Sequence, residues 1–233
     1  MDMRIVVWNC KMAFSRKRQF LKNLSPDIAV IPECSRSSID VAANCGSNGR
    51  WFGDNPKKGL GVLIGKPWSI IESSEPANRW IVALQISGPD NFLLIAVWAS
   101  QVSKNPKDNY IVQVHRAIKA NPEWFNGQPI VLCGDFNSNA IWDKMRREGN
   151  HSSVVRFLAD RKIVSAYHHF FSEEQGSETR PTHYFWHHKN RGFHIDYVFL
   201  SEDWANRITE VEVGKYDKWA KLSDHVPLTV KLD

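Results

Sequence analysis

Short apolar runs broken by polar turns recur along the whole chain. "RIVVW" (Arg4–Trp8) and "IAVI" (Ile28–Ile31) are continuous, and "LGVLI" (Leu60–Ile64) comes after a turn of lysine and glycine. In "WIVALQI", Trp80, Val82, Leu84 and Ile86 alternate with Ile81, Ala83 and Gln85, the period of two that marks a strand with two different faces. "FLLIAVWA" (Phe92–Ala99) is apolar throughout, which predicts a strand covered on both sides. "PIVLC" (Pro129–Cys133), "HIDYVFL" (His194–Leu200) and "VPLTVKL" (Val226–Leu232) complete the predicted strands. Their shortness and β-branched content favour strand over buried helical turn.

Helical patterns alternate with these. Ser15–Leu24 carries Phe20, Leu21 and Leu24 on one side and stops before Pro26. Asp108–Ala120 places Tyr110, Ile111, Val114 and Ile118 on one stripe, with His115 beside it as a structural residue. "AIWDKMRREG" (Ala140–Gly149) ends at a glycine, and "SSVVRFLADRK" (Ser152–Lys162) opens with serines suited to N-capping. "SEEQGSETR" (Ser172–Arg180) reads as a long surface loop. There is no repeat, low-complexity tract or linker, so residues 1–233 are expected to form a single α/β domain with strands in the majority.

Composition changes this picture in two places. Lys+Arg number 30 against 25 Asp+Glu, a formal net charge of +5, and the pI is about 9.0. That balance favours anionic partners such as nucleic acid, phosphorylated metabolites or an acidic membrane surface. Ten tryptophans are many for this length, so some are expected to line a groove as well as the core. Cys10, Cys34, Cys45 and Cys133 form no CxxC pair, which argues against structural zinc and for buried reduced thiols in a cytoplasmic protein. The N-terminus lacks a long apolar segment and no run is long enough for a membrane span, so neither a signal peptide nor a membrane anchor is expected.

The residues at the ends of the predicted strands carry the chemistry. The first strand ends in Asn9 and the second in Glu33; "VLCG" ends in Asp135, with Asn137 just beyond. Asp196 sits inside the apolar run "GFHIDYVF", where an unpaired charge is costly, and "LSDHVPL" sets Asp224 and His225 before the last strand. Polar residues at strand ends are usually turns, but so many amides, carboxylates and a histidine suit a hard divalent cation and a phosphate ester. Mg²⁺ prefers oxygen ligands and keeps several waters, so one or two carboxylates suffice. A histidine beside a carboxylate can donate to a phosphoryl oxygen or help to activate water.

"VVWN", "DIAVIPE", "GDFN", "HIDYVFLS" and "LSDHVPL" resemble, in order, the signature segments of the endonuclease/exonuclease/phosphatase superfamily, from Asn9 to His225. The resemblance implies a four-layer α/β/β/α sandwich of two packed mixed sheets with flanking helices. It implies that Glu33 is the principal ligand of Mg²⁺ (Mn²⁺ being a plausible substitute), with Asn9 and Asp224 holding the metal or its waters. Asp135 would position or deprotonate the attacking water, and Asn137 would hold the scissile phosphate. His225 would contact a phosphoryl oxygen, and Asp196 would fix the tautomer of His225. Many members carry His or Tyr where this chain has Trp98. Either leaving-group protonation is handled differently, or the register is shifted and Ser100 is the relevant residue.

"PTHYFW" and "RGFHIDY" resemble the aromatic segments that flank the sugar pocket of abasic endonucleases, which would make Phe185, Trp186 and Phe193 substrate-binding; Trp98 is a further substrate-binding candidate. His168, His169, His183, His187, His188 and His194 match no common ligand spacing and are expected along a groove rim. Lys57–Lys58, Arg146–Arg147 and Lys189/Arg191 are either solvated faces or a track for a phosphodiester backbone. The leading expectation is a Mg²⁺-dependent phosphodiesterase acting on DNA. The alternatives are a phosphatase or phospholipase-like enzyme acting on a small or lipid phosphate, and a catalytically dead binding module for nucleic acid or protein.

Overall fold

Successive strand side chains point to opposite faces, and on most strands here both faces are apolar. A sheet of that kind must be covered twice, and the fold does so with four layers. The computed structural model describes residues 2–44, 47–75, 77–78, 80–105, 108, 110–144 and 149–233; Cys45 and the Arg146–Arg147 pair lie outside them.

The strands in chain order are β1 (Met3–Val7), β2 (Ile28–Cys34), β3 (Asn48–Asn55), β4 (Lys58–Ile64), β5 (Ser69–Ser73), β6 (Ile81–Ser87) and β7 (Phe92–Trp98). They continue with β8 (Ile130–Asp135), β9 (Ile163–Ser165), β10 (His183–Tyr184), β11 (Gly192–Phe193), β12 (Asp196–Ser201), β13 (Ile208–Val213) and β14 (Leu228–Leu232). One six-stranded sheet has the order β13-β14-β1-β2-β4-β3 and the other β5-β6-β7-β8-β12-β9, with β10-β11 a separate hairpin. Both sheets are mixed, because β1–β2 and β7–β8 pair in parallel and their other neighbours are antiparallel.

The sheets pack face to face through Ile5, Val7, Val30, Val62, Leu84, Leu94, Val131, Val198 and Val230. The outer face of the first sheet, with Val6, Trp8, Ala29 and Ile31, is covered by α1 (Phe14–Lys22) and α2 (Arg36–Asn44) through Phe14, Leu21 and Ile39. That of the second, with Leu93, Ile95, Val97 and Leu132, is covered by α3 (Ile111–Ala120) and α4 (His151–Ala159) through Val114, Ile118, Val154 and Leu158. The strand "FLLIAVW" is buried at every position, as its unbroken apolar run predicts.

All the predicted strands are present, but six of the described strands are not visible in the apolar pattern. Four of these, β3, β13, β5 and β9, are sheet edges, and the other two, β10 and β11, are the two-residue strands of the separate hairpin. An edge strand is half wet, so it carries no continuous apolar run; β13 reads ITEVEV. Three helix expectations need correction. The segment predicted as a helix over 140–149 forms a single 3-10 turn at Ala140–Trp142, closed when Asn139 Oδ1 accepts from the Ile141 N–H at 3.0 Å; residues 145–148 lie outside the described set. The next helix is capped by Asn150, which accepts from the Ser153 N–H at 2.9 Å, and not by its serines. α3 begins at Ile111 rather than Asp108.

The predicted surface loop over 172–180 is tied inward instead. Glu178, its side chain only 3% exposed, accepts hydrogen bonds from Asn139 Nδ2 (3.0 Å) and the Gly176 N–H (3.1 Å), and pairs with His168 Nε2 (3.1 Å). Gln175 Oε1 lies 3.0 Å from His151 Nε2. This loop is therefore the outer wall of the segment that carries Asn137–Asn139. His168 and His194 belong to this interior rather than to a groove rim; His194 is buried against Tyr167 and Tyr197.

Candidate active site

The polar strand ends converge. β1, β2 and β8 run toward the same edge of the sandwich that β12 and β14 leave, so Asn9, Glu33, Asp135, Asp196, Asp224 and His225 meet there. Asp196 and Asp135 are register partners on adjacent strands. Asn9 crosses between the sheets, donating from Nδ2 to Asp135 Oδ2 at 2.9 Å and lying 3.5 Å from Glu33 Oε1.

Local backbone geometry aims these side chains. β2 carries one extra residue relative to β4 between Ile31 and Cys34, and Glu33 sits in this bulge with φ 61°. A bulge re-aims a side chain that a regular strand would leave in the sheet plane. Gly134 has φ 146°, and a Cβ there would fall 1.9 Å from the Val97 carbonyl oxygen of the neighbouring parallel strand. Only glycine lets β8 approach β7 closely enough to deliver Asp135 to the edge. Asn137 then turns back with φ 46°.

Asp135 is fully buried and held by three donors. Its Oδ1 accepts from the Asn137 N–H at 2.9 Å; its Oδ2 accepts from Asn137 Nδ2 and Asn9 Nδ2, both at 2.9 Å. The second Asn137 amide proton goes to the Ala99 carbonyl at 2.9 Å. Both amide protons are therefore used within the protein. Asn137 grips Asp135 through its backbone and side-chain N–H groups, and its Oδ1 can accept from a donor such as an O–H or N–H. Asn9 Oδ1 accepts from the Lys11 N–H at 3.0 Å. Asn9 orients Asp135 through its amide nitrogen, and its Oδ1, which accepts this one bond, keeps a second lone pair.

His225 Nδ1 lies 2.9 Å from Asp196 Oδ2 in a buried pair. The other Asp196 oxygen is buried with no hydrogen-bond partner. Burial works against charge on His225, but the Asp196 carboxylate, with Asp135 and Asp224 behind it, outweighs that and pulls the ring up to about 9. Burial pushes Asp135 up to about 7, against the pull of His225 and with Asp196 reinforcing the rise. His183 pairs with His225 in an isolated β-bridge, its ring centroid 4.5 Å away. Burial and the His225 charge push it down to about 4. Asp224, held below its ordinary range despite burial, pairs with Lys11 Nζ at 2.8 Å. Glu33 pairs with Lys58 Nζ at 3.1 Å.

The donors available to a cation are oxygens: Glu33 and Asp224, each partly open to the cleft at 20% and 18% side-chain exposure. Each is also paired with a lysine, Asp224 with Lys11 and Glu33 with Lys58. That set fits a hard ion that keeps water ligands. Two closer groups, His183/Asp224/His225 and Asp135/Asp196/His225, have ligand atoms within 4.8 Å of one another. His183 thus leaves the groove rim, where its spacing placed it with the other histidines, and joins the cluster.

Two of the cavities that border Asn137 are large. One, of about 510 Å³, is lined by Asn137, Trp142, His183, Phe185, Arg191, Phe193 and Ile195. The other, of about 580 Å³, includes Glu33, Lys58, Trp80, Trp98 and Tyr110. Phe185 and Phe193 therefore share a pocket as expected. Trp186 does not line it: it stands 67% exposed at the hairpin tip with Arg191 over its ring. Trp142, whose ring lies 5.0 Å from Phe193, takes that place, although the sequence pattern puts it inside a helix. Trp98 is nearly buried, stacked on Trp80 at 6.2 Å. Ser223, which lies in "LSDHVPL" but is given no role by the sequence, ties the first strand end to the last: its Oγ donates to the Asn9 carbonyl (2.8 Å) and accepts from the His225 N–H (3.1 Å).

No curated protein matches this chain. Solved structures share its fold. A 3′ phosphatase, NExo from Neisseria bound to product DNA hairpin, aligns over 99% of both chains with 18% identity and a TM-score of 0.66. Truncated Caenorhabditis elegans TDP2 aligns over 100% of this chain and 98% of its own, with 13% identity and a TM-score of 0.71. D. rerio TDP2 complexed with single strand DNA product covers 100% and 99%, with 14% identity and a TM-score of 0.69. The two mixed sheets and outer helices are the DNase I-like sandwich. Residues 6–225 match the Endonuclease/Exonuclease/phosphatase family, and with this fold and the converging strand ends the chain belongs to that family of hydrolytic enzymes.

Proposed function

We propose that this protein is a Mg²⁺-dependent phosphodiesterase that cleaves DNA strands by in-line attack of water. The observation that carries the reading is the buried Asp135, fixed by Asn9 and Asn137 and facing the His225–Asp196 pair. A carboxylate raised to about 7 is matched to taking a proton near neutral pH. Asp135 orients the attacking water and receives its proton, while Asn137 Oδ1 accepts the other. His225, protonated and locked through Nδ1 by Asp196, donates from Nε2 to a non-bridging phosphoryl oxygen. Glu33 and Asp224 would hold the cation, which supplies neutralisation of charge on the departing oxygen. His183, kept neutral, packs beside His225 and limits the directions its ring can face.

DNA is favoured over a small phosphate by three features. The net charge is +5. The cavity beside Asn137 is walled by Trp142, Phe185 and Phe193 with Arg191, groups that stack on bases or close over a sugar. Structures of the same fold are described with product DNA bound. One of them is described as a 3′ phosphatase, so removal of a phosphate from a DNA end is the second reading. Purified protein with Mg²⁺ is to be offered duplex DNA, an abasic duplex, single-stranded DNA, single-stranded RNA, a 3′-phosphorylated strand and a soluble phosphomonoester. Strand cleavage is expected. Release of phosphate from the 3′-phosphorylated strand alone would favour the second reading, and turnover of the soluble ester alone would overturn both.

A further inference from the structure

We infer that Lys58 is a catalytic residue whose ammonium hydrogen-bonds the departing oxygen of the phosphodiester; this rests on the phosphodiesterase reading above. In-line displacement needs the attacking water and the leaving oxygen on opposite sides of phosphorus. Asp135 and Lys58 are the groups assigned to these two positions. Asp135 touches Asn9 at 2.9 Å, Asn9 approaches Glu33 at 3.5 Å, and Glu33 pairs with Lys58 at 3.1 Å. The base and the ammonium stand at the two ends of this chain of contacts. Asn137, which grips Asp135, and Lys58 both line the cavity of about 580 Å³.

Placement of Lys58 is not incidental. It opens β4 and pairs with Asn55 across the turn of the β3–β4 hairpin, which fixes its Cα. Cys34 and Gly59, the neighbours of Glu33 and Lys58 in sequence, are register partners across the β2 bulge. The bulge that turns Glu33 toward the cleft therefore sets it beside Lys58. Below the ammonium lies the ring of Trp98, 5.4 Å from its nitrogen. An indole face attracts a cation without accepting its N–H groups as a carbonyl would. Glu33 takes one direction, the ring supports another, and donors remain for an oxygen entering the cavity. Trp98 itself cannot titrate, so this strand end offers no acid or base of its own. The neighbouring hairpin supplies the cation.

In the step itself, water oxygen bonds to phosphorus and its proton passes to Asp135. The bond from phosphorus to the bridging oxygen breaks, and its electron pair stays on that oxygen. Lys58 hydrogen-bonds this alkoxide as its charge develops and remains charged; the alkoxide takes its proton from solvent. The Lys57–Lys58 pair, which the sequence offers only as a basic cluster, is thereby divided: Lys57 sits in the turn and Lys58 faces the chemistry.

The test compares wild type, Lys58→Met and Lys58→Arg in single-turnover cleavage under saturating Mg²⁺. After the wild-type cleavage point is mapped, two strands are used that differ only in the leaving atom, oxygen or sulfur. A thiolate is a weaker base and leaves without a hydrogen bond, so the ratio of wild-type to variant rate isolates the leaving-group role. Lys58→Met is expected to lose about 10²-fold on the oxygen strand and under about 3-fold on the sulfur strand, with Lys58→Arg intermediate on oxygen. Mn²⁺ affinity, read from tryptophan fluorescence, should not fall in Lys58→Met. Equal losses on the two strands, no loss on oxygen, or a loss explained by weakened metal binding overturns the role of Lys58 and leaves the phosphodiesterase reading standing. A wild type that cuts neither strand overturns both.

Discussion

Glu178→Gln removes one charge from the loop that walls the site. The carboxylate accepts from Asn139 Nδ2 and the Gly176 N–H and pairs with His168 Nε2. Burial alone would raise Glu178, but these partners outweigh it and bring the group from 4.5 down to about 2. A carboxylate depressed in the fold stabilises it above its unfolded value and loses that contribution as pH falls through the folded value. The difference corresponds to about 3 kcal/mol at neutral pH. The amide that replaces it must turn an N–H₂ toward one of the donors, which retains none of that gain. Urea denaturation of both proteins from pH 8 to acid should show the variant about 2–3 kcal/mol less stable at pH 7, with the gap closing below about pH 4.5. A gap that does not change with pH, or one under about 0.5 kcal/mol at pH 7, would refute the claim that this loop is held by a buried charge.

Gly134→Ala should cost more than about 3 kcal/mol or prevent folding, since its Cβ would meet the Val97 carbonyl at 1.9 Å; an unchanged melt would contradict the close-approach argument. Trp142→Ala should weaken DNA binding by about 1–3 kcal/mol, the range for one lost base-stacking ring, read by equilibrium titration of the Asp135→Asn protein. The same titration from low to moderate salt should give a log–log slope of about −4 to −5 if Lys and Arg contact roughly four to six phosphates; a slope near zero points to a small phosphate ligand.

Most of the layered architecture is legible in the chain, because fully buried strands leave unbroken apolar runs and four layers bury strands on both faces. β3, β5, β9 and β13 escape the same reading because they are edges, where one side of each strand is wet. The five polar strand ends are legible as a set, since one of them alone reads as a turn but their recurrence after apolar runs suits a cation and a phosphate ester better. Their finer division of labour is not. That Asn137 spends both amide protons on Asp135 and Ala99, and that Asn9 turns its oxygen to Lys11, depends on backbone turns no spacing reveals. Lys58 and His183 are hidden for a different reason: each reaches the site from a hairpin distant in sequence from its partner. Trp142 is obscured by the charged residues after it, which suggest a helix where only a 3-10 turn forms.

Single-turnover cleavage of a labelled DNA strand by wild type and Asp135→Asn, in saturating Mg²⁺ and without metal, bears most directly on the central claim. Strand affinity and thermal melts run alongside. Wild type should cut only with metal, and Asp135→Asn should bind the strand as well as wild type yet cut about 10²–10⁴ times more slowly, the span expected when a general base is lost. A folded Asp135→Asn protein that cuts at close to the wild-type rate, or a wild type that cuts equally well without metal, would contradict the account.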